Sequence, residues 1–198
     1  MDLVSRVKGI LLSPKTEWAT IDTEPATVGG LYSGYIVPLA AIPAVCGFIG
    51  FSVIGYNVLG VAWKRPMGTG LTFAVVSYAL SLASVYVLGL IIDALAPSFG
   101  GQKSQMQGLK VAAYFGTASW VAGVFLLVPA LGVLQILGLY SLYLLFLGLP
   151  ILMKSPADKA VSYTVVVIIC AVVFSLVIGA VAIAVVPGAM PGFGTLRP

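Results

Sequence analysis

From Val111 to Met153 the chain runs for 43 residues without one charged side chain. As a single helix that stretch would be roughly 65 Å long, about twice the hydrocarbon thickness of a bilayer, so it has to fold back on itself. The only break with turn chemistry is "VPALG", where Pro129 and Gly132 permit a tight hairpin between two helices. Two such helices side by side have no place on a soluble surface. The whole chain bears this out, with 60% apolar and 8% charged residues, against about 25% charged in soluble domains. The sequence therefore predicts an all-α integral membrane bundle.

The other spans fall between short charged clusters. The first is expected over about residues 31–56, followed by the loop "NVLGVAWKRPMGTG" with Lys64 and Arg65. The second covers about 71–95 and ends near Asp93, and "PSFGGQKSQMQG" then leads to Lys110. The hairpin supplies spans at 110–128 and 132–153. The elbow "MKSPADKA" connects to a fifth span at 160–186, with Ser155, Pro156 and Asp158 resembling a capped helix start. Residues 1–30 form a short cytoplasmic or interfacial amphipathic region, and 188–198, rich in glycine and proline, a flexible tail.

In that N-terminal region Leu3, Val7, Ile10 and Leu11 follow helical spacing, with Asp2, Ser5, Arg6 and Lys8 off the stripe. Ser13 and Pro14 then read as the cap and first position of a second short helix carrying Trp18 and Ile21, with Trp18 at headgroup depth. The pair is either a flap packed on the bundle or an anchor lying on lipid. The longest apolar run before Ser13, Ile10 to Leu12, is too short for a cleavable signal core, so the N-terminus is expected to stay attached.

Basic residues set the orientation, because Lys and Arg are retained on the cytoplasmic side of short loops. With the N-terminus inside, Arg6, Lys8, Lys15, Lys103, Lys110, Lys154 and Lys159 are cytoplasmic, while Lys64, Arg65 and Arg197 lie outside. Every acidic residue, Asp2, Glu17, Asp22, Glu24, Asp93 and Asp158, then falls on the cytoplasmic side as well. The expected topology is N-terminus in and C-terminus out.

Lipid is as apolar as these helices, so small residues are expected to mark their contacts. Candidate strips are Ala171, Ser175 and Gly179 in the fifth span, Ala112 and Gly116 in the third, and Ala79 and Ala83 in the second. Pro38 and Pro43 are expected to kink the first span and Pro150 the fourth.

With no histidine in the chain, a Ser-His triad, a zincin site and a histidine-bound metal are excluded. Cys46 and Cys170 lie in apolar runs without paired spacing and read as packing residues. No cofactor, metal or nucleic acid is expected; the net charge of +4 reflects the cytoplasmic bias and suits contact with lipid headgroups. The candidate interaction residues are Glu24, Asp93, Lys110, Tyr140, Tyr143, Asp158 and Lys159. Asp93 and Lys110 close the second span and open the third, as a loop staple or as a transport or partner site. Tyr140 and Tyr143 share a face at spanning depth, where their hydroxyls either bond across the bundle or line a lipid or solute pocket.

The order of "LLSPKTEWATIDTEPAT" (Leu11 to Thr27), "YSGYIVPLAAIPAVCGFIG" (Tyr32 to Gly50) and "LYSLYLLFLGLPILMKSPADKA" (Leu139 to Ala160) resembles the bacterial branch of the Ypt-interacting-protein, or Yip, domain family. The resemblance implies five membrane helices with a cytoplasmic N-terminus. It also implies association with other membrane proteins, since eukaryotic members bind prenylated Rab GTPases, associate with one another and act in vesicle traffic. With only about 30 residues before its first span, this chain does not readily inherit Rab-type GTPase binding. The reading is a non-enzymatic, membrane-organising or partner-binding adaptor in a bacterial cytoplasmic membrane, in contact with lipids and forming homo- or hetero-oligomers. The alternative is a small oligomeric transporter, channel or lipid translocator.

Overall fold

The computed structural model describes residues 2–58 and 61–186. The expected tail and Arg197 lie outside the described residues. Among the described residues, five helices are long and apolar enough to cross a membrane: Val28–Ile54, Met67–Phe99, Gln105–Leu127, Pro129–Met153 and Ala157–Val185. They are the first to fifth spans below. Two shorter helices precede them, α1 (Leu3–Leu12) and α2 (Pro14–Thr23). The loop with Lys64 and Arg65 contains a small antiparallel ribbon, β1 (Tyr56–Val58) paired with β2 (Val61–Trp63).

The reversal in the charge-free stretch comes at Val128, which is extended, and Pro129, which opens the fourth span. Gly132 is not part of the turn; it lies inside a 3₁₀ segment, Pro129–Leu139, that precedes the regular helix Tyr140–Met153. The first span is also irregular, with π-helical turns at Tyr32–Ile36 and Ile49–Ile54 around the α-helical Val37–Phe48. Pro38 stands at the start of that middle piece and Pro43 within it. Tyrosine hydroxyls tie this span to the second one. The Tyr78 hydroxyl donates to the Val37 carbonyl at 3.0 Å, and Tyr32 donates to Leu82 at 2.8 Å.

The third span is the axle of the bundle, with 61% of its core stretch buried against 11% for the fifth. It meets the second span through Gly89 and Gly108. A Cβ on Gly108 would lie 2.6 Å from the Gly89 carbonyl oxygen, and one on Gly89 would lie 2.9 Å from the Leu109 Cα. It meets the first span where Gly123 lies against Pro43. Two of the expected small-residue strips are corrected. Ala79 and Ala83 are exposed, and Gly179 has nothing within 4 Å of its Cβ position, while Ser175 turns its hydroxyl back to the Ala171 carbonyl. Only Ala112 and Gly116 are buried as a pair. The reason is physical: a membrane helix gains nothing from turning its apolar side inward, so small residues on the lipid side carry no penalty. The fifth span accordingly exposes Val161, Val165, Ile169, Val172 and Leu176.

Its expected cap is also different. Pro156 occupies the cap position with no side-chain bond, and the Ser155 hydroxyl is buried without a partner.

Candidate functional site

α1 and α2 form a hairpin that lies along the third and fourth spans, and its attachment follows from the way each helix ends. A helix leaves its last carbonyls without intrahelical donors. At the end of α1 the Leu11 carbonyl accepts from the Tyr140 hydroxyl at 3.1 Å. At the end of α2 the Ile21 carbonyl would be served by the N–H of residue 25, which is a proline and has none. Lys110 takes that place from the third span: its Nζ donates to the Ile21 carbonyl at 2.8 Å and to the Glu24 carbonyl at 2.6 Å. A cation at this point also meets the negative end of the helix dipole.

A second cation locks the hairpin from within. Arg6 is buried, donates to Glu17 at 2.6 Å and to Glu24, and stands over the Tyr114 ring with 5.8 Å to its centroid. Burial works against the guanidinium's charge, but the Glu24 hydrogen bond, together with the fields of Tyr114, Glu24 and Glu17, outweighs it and holds the pKa above its ordinary value. Asp22 receives Gln107 at 3.1 Å and pairs with Lys154, which closes the fourth span in a left-handed conformation. Below these charges the Trp18 indole is fully buried, edge-on to Tyr114 and pressed on Gly148, where a Cβ would lie 2.5 Å from the ring. Trp18 is thus a packing residue of the bundle and not a headgroup anchor, and of the two expectations for α1 and α2 the packed flap is the one observed.

Between the hairpin and the first and third spans is a cavity of about 430 Å³, lined by Arg6, Glu24, Thr27, Gly34, Tyr35 and Lys110 among others. Arg6 and Lys110 are each only 4% exposed. At its floor the Tyr35 hydroxyl bonds Thr117 at 2.6 Å and the Tyr35 ring packs on Tyr114 at 4.6 Å. Buried ionisable groups facing a cavity at the edge of a membrane bundle are the arrangement in which ligand or partner sites are found.

Of the expected residues, the structure brings Glu24 and Lys110 together here and ties Tyr140 to α1. Asp93 does not staple Lys110. It lies beside Gly108, and its Oδ1 is buried without a hydrogen-bond partner, while the Lys110 ammonium points to α2. Tyr143 packs on Tyr140, with 5.4 Å between ring centroids, and is 43% exposed. Asp158 and Lys159 are exposed in the first turn of the fifth span, away from the cavity lining. Pro150 stands inside the helix Tyr140–Met153 two residues beyond the Trp18 contact.

Arg6 was missed, because a charged residue off an apolar stripe reads as solvated. The signal that could have found its site is "TEPAT": a helix ending before a proline leaves a carbonyl for a distant donor. Tyr163 was missed as well; its hydroxyl donates to the Ile92 carbonyl and its ring stacks on Phe99 at 4.8 Å.

The fold and this clamp define a five-span helical membrane protein with an N-terminal helical hairpin fixed to one end of the bundle. The chain belongs to the Yip1 domain family, whose model matches residues 8–187. It is similar to the "Inner membrane protein YohC" of Escherichia coli strain K12, 31% identical over 166 residues covering 81% of this chain and 85% of that protein. The protein of the same name in Escherichia coli O6:H1 strain CFT073 aligns with the same figures. No solved structure matches the chain.

Proposed function

We propose that the protein is a non-catalytic adaptor of a bacterial inner membrane, which binds partner proteins or organises other membrane proteins through the end of the bundle that carries α1 and α2. The observation that supports this is the clamp itself. Arg6, Lys110 and Trp18 hold the hairpin in one pose, so its outer side, where Lys8, Lys15, Thr16 and Thr20 are exposed beside Val4 and Leu12, is a preorganised surface. Binding to such a surface loses less conformational entropy than binding to a loose tail. The inner-membrane assignment rests on the relatives' name and the five apolar spans, and the topology on the count of basic residues.

A second reading, a small transporter or lipid translocator, is supported by the cavity lined with the buried cations Arg6 and Lys110. Reconstituted vesicles separate the two. The adaptor reading expects background movement of protons, labelled lipid and small solutes. It also expects that photocrosslinkers at positions 8 and 15 trap one discrete partner in native membranes, and that Lys8→Glu with Lys15→Glu abolishes the capture. Flux above background that collapses on Arg6→Gln or Lys110→Met refutes it.

A further inference from the structure

At the opposite end of the bundle, between the first and second spans, lies a crevice of about 460 Å³ that the clamp does not involve. One wall is a single face of the first span, Ala40, Ala44, Gly47 and Phe51, and the other a single face of the second, Gly70, Ala74, Ser77 and Ser81. Faces this small normally let two membrane helices touch. Here they meet at the ends, where Gly70 lies against Ser52 and the Tyr78 hydroxyl reaches the Val37 carbonyl, and leave a hollow between, with Leu126 of the third span closing the back. The volume falls in the range of ligand sites, ~300–1,000 Å³.

The lining tells what fills it. Its hydroxyls are turned away from an occupant: Ser77 donates to the Phe73 carbonyl at 2.7 Å, Ser81 to Tyr78 at 2.7 Å, and Tyr78 to Val37 at 3.0 Å. What remains is apolar. A neighbouring hollow of about 240 Å³ shares Ala44, Phe48, Ala74 and Tyr78 and is also lined by the exposed Val45, Leu71 and Val75, so the crevice opens sideways towards lipid. From Gly70 to Ser81 the wall is roughly 17 Å long at the helical rise, close to the ~15 Å depth of one leaflet of hydrocarbon.

The crevice has charge at one end only. Arg65 borders it at the ribbon, its guanidinium 4.5 Å from the Phe73 centroid and 5.9 Å from that of Phe51, and its backbone N–H donates to the Phe51 carbonyl at 2.9 Å. Lys64 is exposed beside it. No acidic residue occurs between Glu24 and Asp93, so the formal charge that the two spans and the loop joining them bring to this end is positive. We infer that the crevice is a binding site for one anionic phospholipid of that leaflet, with an acyl chain between the first and second spans and the phosphate at Arg65 and Lys64. The inference is independent of the adaptor reading.

The test is native mass spectrometry of the full chain in detergent, titrated with phosphatidylglycerol or phosphatidylcholine, with thermal midpoints recorded for each variant. One phosphatidylglycerol per chain is expected to bind ahead of any further lipid and ahead of phosphatidylcholine. Arg65→Gln should weaken that step about fivefold, the equivalent of one basic residue near a headgroup, and Arg65→Lys should retain it. Ala74→Leu fills the crevice and should remove the step for both lipids. A lipid distribution without a distinct first step, unchanged by Ala74→Leu, means annular lipid only and overturns the inference. Loss of self-association in place of lipid on Ala74→Leu means that a second copy fills the crevice, and overturns it too. If Ala74→Leu does not fold, an unaltered phosphatidylglycerol preference in Arg65→Gln is sufficient to refute the site.

Discussion

Gly148 of the fourth span is where a single methyl group should detach the N-terminal hairpin. A Cβ there would sit 2.5 Å from two indole atoms of Trp18 and 2.7 Å from a third, whereas carbon atoms are in favourable contact at about 3.5–4.0 Å. The ring must retreat by more than 1 Å, as these distances require. It cannot do so in place, because it is fully buried with Tyr114 edge-on at 6.2 Å. Overpacking of this kind costs about 1–3 kcal/mol, which converts to a roughly 5- to 150-fold increase in the open population of the hairpin. Hydrogen exchange of peptides covering Pro14–Thr23 in Gly148→Ala should accelerate by that factor, with the rest of the bundle unchanged. With Trp63 and Trp120 replaced by phenylalanine, the Trp18 emission should shift to the red. Gly148→Leu combined with Trp18→Ala refills the space from the other side and should recover part of the protection that Trp18→Ala alone loses. Native exchange and an unshifted emission in Gly148→Ala would show that the indole is not seated on Gly148, and the reasoning would fail.

Lys110→Met should also loosen the hairpin, by about 2–4 kcal/mol, because the Ile21 and Glu24 carbonyls lose a charged donor; limited proteolysis between α2 and the first span reads it, and Lys110→Arg should be milder. Gly89→Leu should lower the thermal midpoint in detergent, since its Cβ would meet the Leu109 backbone at 2.9 Å, while Gly179→Leu should leave the midpoint within error because nothing lies near. Single cysteines at positions 67 and 157, in a background lacking Cys46 and Cys170, test the topology. An impermeant thiol reagent on intact cells should label 67 and spare 157, and the reverse pattern would invert the orientation.

The order of elements was legible because the bilayer imposes it. Charges confined to short clusters, the length of a span and the proline at the one necessary reversal point to five helices. The candidate site was legible only in part. Glu24 and Lys110 were singled out, but for the wrong association: neighbouring positions at a loop suggested Lys110 with Asp93, and the ammonium goes instead to the end of a helix, to carbonyls 89 and 86 residues earlier in the chain. Arg6 was placed off the apolar stripe and given no partner, because periodicity records polarity and not whether a charge finds two carboxylates.

What the amino-acid order alone determined is therefore the class, the number of spans, the break at Pro129 and the one-sided distribution of charge, all consequences of the free energy of moving side chains between water and hydrocarbon. Which faces of those helices meet was decided only in the tertiary structure. Inside a bilayer the apolar inward and outward faces have nearly the same free energy, so neither hydrophobic periodicity nor a strip of small residues marks the packed side. The choice rests on local contacts that three dimensions bring together: Gly89 on Gly108, Trp18 on Gly148, and Lys110 on a carbonyl that Pro25 leaves unpaired.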